Sequence, residues 1–257
     1  MGHCCTIDFF KYENKITYDI TIENGKYEEL LRENINNNKF MIQLKYNESK
    51  FIKVLKPEIK LDVIHVDTIG STMPASKEYI DKGNTFPFIY NTIIQTAGVG
   101  KGNRKWAGGI IGNLYTSTGI PLSLIKNDFR DEKLLIKITA ISIIKELNKL
   151  IQNKFYLKHP NDILCEDKCK LGGILAQKYK DFYIIGFGIN IIDKPEQDQV
   201  RPEGLSPCYV KAHLPKEMET PTPLNLSIEI TKNILYNLNL SMEQIDKVFE
   251  HFLMKNM

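Results

Sequence analysis

The chain of 257 residues is 42% hydrophobic and 25% charged, a composition that supports one large or two modest globular domains, each with its own core. Thirty-four Lys and Arg against 31 Asp and Glu leave a net charge of +3, too little to bind nucleic acid through charge spread over the whole surface, so any basic patch is local. No apolar run approaches the ~20 residues that cross a bilayer. Five cysteines, an odd number with no signal-peptide core ahead of them, point to a reducing cytoplasm rather than a disulfide framework.

The chain opens on Met1-Gly2-His3-Cys4-Cys5-Thr6. This start fits the minimal N-myristoylation pattern at Gly2, but that pattern fixes few positions, and an unstructured start is the plainer reading. Residues 16–23 and 39–55 largely alternate apolar and polar side chains, as half-buried strands do, and Tyr27 to Ile35 reads as a short helix between them. Residues 1–60 thus form a strand-rich N-terminal extension of unknown role, ending near Lys56-Pro57. It has no second helix at a helix-turn-helix spacing, which excludes a DNA-reading module of that kind. From Asp62 the pattern predicts a strand at 63–66, a turn at Gly70, a helix over 75–82 and a strand at 92–95. A long helix over 132–151 places Leu135, Ile138, Ile141, Ile144 and Leu147 on one face. Strands follow at 163–165, 173–177 and 183–189, and the segment from Asn225 to Met257 reads as helical after a loop with Pro221 and Pro223. Hairpins mixed with crossovers predict an α+β domain over 61–257, a mixed sheet flanked by helices.

Three segments carry chemistry. Six of the 16 glycines fall in Ala97-Gly-Val-Gly-Lys-Gly-Asn-Arg-Lys-Trp-Ala-Gly-Gly-Ile-Ile-Gly-Asn113, and no Asp or Glu occurs from Lys82 to Asn127. Glycines let backbone N–H groups approach an anion, and Lys101, Arg104 and Lys105 add charge there. The segment lacks both the Walker A spacing and the dinucleotide fingerprint, so alone it reads equally as a surface loop or a phosphate cradle. The second segment is Lys158-His-Pro-Asn-Asp-Ile-Leu164, the third Lys170-Leu-Gly-Gly-Ile-Leu175 followed by Ile185-Gly-Phe-Gly-Ile-Asn190. Here Asn161-Asp162 opens a strand, and Lys170 sits on the return strand facing it, with Gly172 and Gly173 leaving room for a ligand. Cys165 and Cys169, four apart in a polar connection, read as packing or surface thiols.

In order, these blocks resemble the biotin protein ligase family (biotin-[acetyl-CoA-carboxylase] ligase). The resemblance rests on Gly70-Ser-Thr-Met73, Gln95-Thr-Ala-Gly98 with the loop to Trp106, Gly112-Asn-Leu-Tyr115 and the lysine and glycine blocks above, between residue 62 and about 245. It implies an ATP-dependent ligase with the family's mixed-sheet fold that makes biotinyl-5′-AMP and passes biotin to a lysine of a biotin carboxyl carrier protein. On that reading biotin and ATP are substrates and Mg²⁺ accompanies the nucleotide. Lys170 would be the catalytic cation where carboxylate meets α-phosphate. Ser71, Thr72, Met73, Gln95, Gly98, Val99, Gly100, Lys101, Lys170 and Gly173 would face biotin. Gly98, Lys101, Arg104, Trp106, Lys158, Asn161 and Asn190 would hold ATP or the adenylate, with Asp162 toward Mg²⁺. The loop from Gly98 to Trp106 would order over the intermediate and exclude water. The resemblance admits a homodimer and gives no partner role to nucleic acid or membrane.

The chain also departs from the family. Val99 and Lys101 stand where the loop usually carries arginine, His159 replaces the usual Trp before Pro160, and Met73 replaces the usual Asn. The small C-terminal barrel of many members is not evident before Met257. A lipoate-protein ligase shares the fold and chemistry, but its Arg-Arg-x-Ser-Gly-Gly-Gly segment is absent. A non-catalytic binding module of the same fold is the reading from a different class.

Overall fold

A computed structural model describes residues 3–7, 18–23, 61–102, 104–151, 154–196, 199–200 and 204–253. The strands are β1 (His3–Ile7), β2 (Tyr18–Glu23), β3 (Leu61–Ile69), β4 (Phe88–Gln95), β5 (Gly98–Val99), β6 (Lys105–Trp106), β7 (Leu114–Pro121), β8 (Phe155–Lys158), β9 (Asp162–Cys165), β10 (Lys170–Tyr179) and β11 (Phe182–Ile189). The helices are α1 (Thr72–Asp81), α2 (Glu132–Leu147), α3 (Pro223–Asn237) and α4 (Met242–Phe252). Nine strands make one sheet in the order β1-β2-β3-β4-β7-β11-β10-β9-β8, and β5 pairs with β6 in a separate short hairpin. The β2–β3 and β3–β4 ladders are parallel and the other ladders antiparallel, so the sheet is mixed. The expected α+β architecture is therefore the observed one. The helix read over 27–35 and the strand over 39–55 lie outside the described residues, whereas Tyr18–Glu23 is a strand that continues the main sheet alongside β3.

Side chains alternate across a strand, and the two faces of this sheet have different fates. On β10 and β11, Ile174, Ala176, Tyr183, Ile185, Phe187 and Ile189 belong to one large core with Leu135, Ile138, Ile141 and Ile144 of α2 and Ile230 and Ile234 of α3. On the other face, Phe182 and Ile184 join Ile64, Val66 and Phe88 under Met73 and Ile80 of α1. The helix α2 begins at Asp131, whose carboxylate accepts the Leu134 N–H at 2.9 Å, a favourable N-cap. It is buried more widely than one stripe, since Leu134, Ala140 and Ile143 are buried too; sheet, α3 and α4 surround it. The C-terminal helical segment divides at Asn239–Ser241, where Ser241 and Gln244 form a reciprocal capping box that starts α4.

Five strands escaped the sequence reading: β1, which pairs with β2 where an unstructured start was expected, the short pair β5 and β6 within the glycine-rich segment, and β7 and β8. β7 is buried at every residue from Leu114 to Pro121 and so has no alternation to detect. Its polar centre, Thr116, Ser117 and Thr118, is satisfied internally: Thr116 donates to the Tyr90 carbonyl at 3.1 Å, while Ser117 pairs with Thr72 at 2.7 Å and Thr118 with Thr231 at 2.8 Å. β8, four residues with alternating burial, lies just after the long helix, where the sequence reading placed no strand.

Candidate active site

The face of β10 and β11 under α1 changes character along the strands. Phe182 pairs with Tyr179 and Ile184 with Gln177, but Gly186 pairs with Leu175 and Gly188 with Gly173. Past the start of α1, therefore, Leu175 is the one large side chain that these two strands put into the space above the sheet. The result is a cleft of about 440 Å³, floored by Gly173, Gly186 and Gly188 and walled by Ser71, Thr72 and Met73 on the α1 side. Trp106 lies on this floor. A Cβ at Gly188 would stand 2.5 Å from Trp106 Cε2, and one at Gly173 would stand 3.1 Å from Cζ3, so only glycine admits the ring at Gly188. The indole Nε1–H is buried without a hydrogen-bond partner, a position that favours a ligand able to accept from it.

The polar groups at the α1 end are pre-oriented. Gln95 Oε1 accepts from the Thr72 N–H at 2.8 Å and from the Thr72 hydroxyl at 3.2 Å, which turns the amide's Nε2 side toward Gly98. Gly98, paired with Trp106 in the β5–β6 hairpin, is the one expected binding residue that does not line the cleft. It packs behind the cleft, where a Cβ would meet the Trp106 carbonyl oxygen at 2.6 Å. Val99, Gly100, Lys101 and Arg104 do line it, at the mouth.

At the opposite end the β9–β10 hairpin brings Asp162 and Lys170 together, Nζ to Oδ1 at 2.7 Å, and the same ammonium lies 5.7 Å from the Trp106 ring centroid. A half-exposed pair of this kind contributes about 0–1 kcal/mol to stability, so its location beside the glycine floor matters more than its energy. Asn161 and Asn190 line the cleft, and each also braces it. Asn161 Nδ2 donates to the Ile174 carbonyl at 3.2 Å and Asn190 Nδ2 to that of Cys208 at 2.9 Å. Lys158 completes this side. Among the described residues, five cations, Lys101, Arg104, Lys105, Lys158 and Lys170, thus line the cleft against one carboxylate, Asp162, an arrangement that concentrates anions.

Sequence reasoning missed the far wall, formed by Pro195, Gln199, Val200, Gly204, Leu205 and Pro207, a connection without periodicity. It also missed how Asn113 works. The Asn113 Oδ1 accepts N–H bonds from Ile191 at 2.8 Å and Ile192 at 3.0 Å, while its Nδ2 donates to the Asp193 carbonyl at 2.8 Å. This one buried side chain fixes where the chain leaves β11, and hence where the far wall begins.

No family model matches the chain. Sheet order, helix placement and cleft nevertheless define a known class of domain, the catalytic fold of biotin protein ligases. Among solved structures, the chain is similar to the biotin protein ligase of Leishmania major in complex with biotin, with a TM-score of 0.66 and 22% identity over 76% of this chain and 82% of that one. It is also similar to the biotin protein ligase of Aquifex aeolicus in complex with biotin and ATP, with a TM-score of 0.60 and 21% identity over 75% and 78%. A third likeness is to the biotin acetyl coenzyme A carboxylase synthetase of Helicobacter pylori with bound biotinylated ATP, with a TM-score of 0.52 and 20% identity over 73% and 79%. At these identities the likeness is one of fold.

Proposed function

We propose that this chain is an ATP-dependent biotin protein ligase, activating biotin as biotinyl-5′-AMP and transferring it to a lysine of a carboxyl carrier domain. The observation that carries the reading is the pairing of Lys170 with Asp162 at the edge of a glycine floor, inside a cleft whose other charged groups among the described residues are cationic. Joining a carboxylate to an α-phosphate crowds two anions. A fixed ammonium at that point, held on a β-hairpin, stabilises the developing charge without reorganising. The solved relatives in fold include complexes with biotin and with biotin plus ATP, in keeping with a cleft that has one mixed apolar and amide end and one cationic end.

On this reading, Gln95, Ser71 and Thr72 offer hydrogen bonds to the ureido ring of biotin, while Met73 and Leu175 supply apolar wall. The valerate carboxylate then reaches Lys170. Lys101, Arg104, Lys158 and the backbone of Gly100 take the phosphates. Among the described residues Asp162 is the one carboxylate that lines the cleft, and one of its oxygens already accepts from Lys170. It suits a Mg²⁺ that is held mainly by the nucleotide's phosphates and arrives with it. The loop from Gly98 to Trp106 covers the adenylate and limits hydrolysis before the carrier lysine attacks. A reducing compartment suits the free thiols of Cys165, Cys169 and Cys208, and the cytoplasm supplies ATP.

Biotin-dependent exchange of labelled pyrophosphate into ATP tests the first half-reaction, and transfer of labelled biotin to a carrier domain tests the second. Exchange that requires biotin supports the proposal. Exchange driven by lipoate instead would move the protein to lipoate ligation, and no exchange with either would overturn the ligase reading.

A further inference from the structure

Behind the hairpin that carries Lys170, on the face away from the cleft, lies a cluster that the activation chemistry does not use. Cys165 ends β9 and Cys208 follows the far wall of the cleft; both are buried. A sulfur from each and a ring nitrogen of His213 all lie within 4.8 Å of one another. The Cys169 carbonyl sits between the two thiols, accepting from Cys165 Sγ at 3.5 Å and from Cys208 Sγ at 3.3 Å. Cys169 brings a third thiol on the same turn, at present donating to the Asp167 carbonyl at 3.6 Å.

We propose that Cys165, Cys208 and His213 bind a zinc ion, with Cys169 as the thiol that closes the fourth position. Four observations converge on it. The donors are soft sulfur and imidazole nitrogen, the set that selects zinc over magnesium or calcium. The spacing, Cys165-x₃-Cys169 and Cys208-x₄-His213, gives two short ligand pairs from two tight connections, as closed structural zinc sites do. Three of the chain's five cysteines, separated by up to 43 positions (208 − 165), converge on one place. Finally, the present separations need only modest contraction, since Zn–S near 2.3 Å and Zn–N near 2.0 Å at tetrahedral angles put ligand atoms roughly 3.5–3.8 Å apart. Zinc entry displaces one proton from each ligating thiol to solvent and leaves the imidazole neutral. His213 is only partly buried, edge-on to Phe155 at 6.3 Å, and marks the side from which the ion enters.

The site would act on Lys170 through the backbone. Cys169 directly precedes the lysine, the Lys170 N–H donates to the Ser206 carbonyl at 2.7 Å, and the Cys208 N–H donates to the Lys170 carbonyl at 2.9 Å. An ion joining Cys165 and Cys169 to Cys208 and His213 would clamp the two segments between which Lys170 is held, and so make Lys170 a fixed rather than a wandering charge.

The test uses the full chain in a C4A/C5A background, so that the N-terminal thiols do not contribute. Titrating the metal-free protein with Co²⁺ should give thiolate-to-cobalt charge transfer in the near ultraviolet and intense d–d bands of tetrahedral coordination, saturating at a single equivalent. Zn²⁺ should bleach the bands and raise the melting temperature. His213→Ala, at a partly exposed position that tolerates truncation, should lose the bands or weaken Co²⁺ binding at least tenfold while the fold, read by circular dichroism, persists. Cys208→Ser should do the same, and His213→Ala covers the case in which Cys208→Ser does not fold. The proposal is overturned if no tetrahedral bands appear, if His213→Ala binds Co²⁺ as tightly as the parent, or if Cys165 and Cys208 are recovered as a disulfide that takes up no metal.

Discussion

The two faces of β10 and β11 are made from the same eighteen residues and do opposite work. Toward α2, Ile174, Tyr183, Ile185, Phe187 and Ile189 are buried in the core that the helix shares. Toward α1, β11 carries no side chain at Gly186 and Gly188, nor β10 at Gly173. The helix on that side is shorter, ten residues against sixteen, and what lies over these glycines is Met73 of its first turn at Gly186 and Trp106 at Gly188 and Gly173. Room for a ligand thus comes from removing side chains on one face of a strand whose other face is fully packed. The sealed face supplies the rigidity that a site on the bare face requires.

This contrast makes function and stability separable by residue, and the largest effect should fall on Lys170. Lys170→Ala should slow biotin-dependent pyrophosphate exchange by about 10²–10³-fold, as loss of a preorganised charge does. The midpoint of urea unfolding should hardly move, because a half-exposed pair contributes about 0–1 kcal/mol. Ile185→Ala, on the sealed face of the neighbouring strand, should do the reverse. It should cost about 2–5 kcal/mol in urea unfolding as a cavity forms, with the exchange rate per folded molecule retained. If Ile185→Ala slowed exchange without destabilising the fold, the two faces would not be independent.

A subtler probe is Gly188→Ala. Its methyl would overlap the indole of Trp106, so the ring must lift. Trp106 is the chain's only tryptophan, and its emission should shift to the red with no ligand present, accompanied by a changed affinity for biotin in titration calorimetry. Unaltered emission would show that the ring does not rest on the floor in solution.

The smallest effect concerns His65 on β3, three strands across the sheet from β11. It is buried, and its Nδ1 lies 2.7 Å from Asn91 Oδ1. Burial, more than the opposing pull of Asn91 and Asp67, lowers its pKa below the ordinary 6.5. The unfolded chain therefore takes up a proton more readily than the folded one. The associated stability is fully present above pH 6.5 and declines as pH falls through the lowered folded value. A melting series from pH 7.5 downward should show this decline, and His65→Gln should flatten it.

Most of this arrangement was legible in the sequence where a residue type has few alternatives. The alternating strands after Asp62, the long helix from Glu132 and the lysine facing Asp162 across a hairpin follow from periodicity and turn chemistry, and the fold came out as expected. The cationic loop was legible as charge, but nothing in its composition said that Trp106 would lie flat on Gly188, because that contact joins positions 82 apart (188 − 106). β7 was illegible for a different reason. Its threonines and serine look like a loop until partners from α1, β4 and α3 are in place to share their hydrogen bonds. Cys165 and Cys169 read as packing or surface thiols, and nothing in the sequence tied them to Cys208, since only the return of the chain after β11 brings Cys208 back to the hairpin.

The indole on the glycine floor also sets the terms on which any substrate enters. An open apolar groove would be wetted, and a ligand would gain the full benefit of drying it; here the protein already keeps that surface dry with one of its own rings. A ligand in the cleft therefore packs against a ring that is already in place, gaining contact with the indole without having to dry the glycines or order the side chain that covers them.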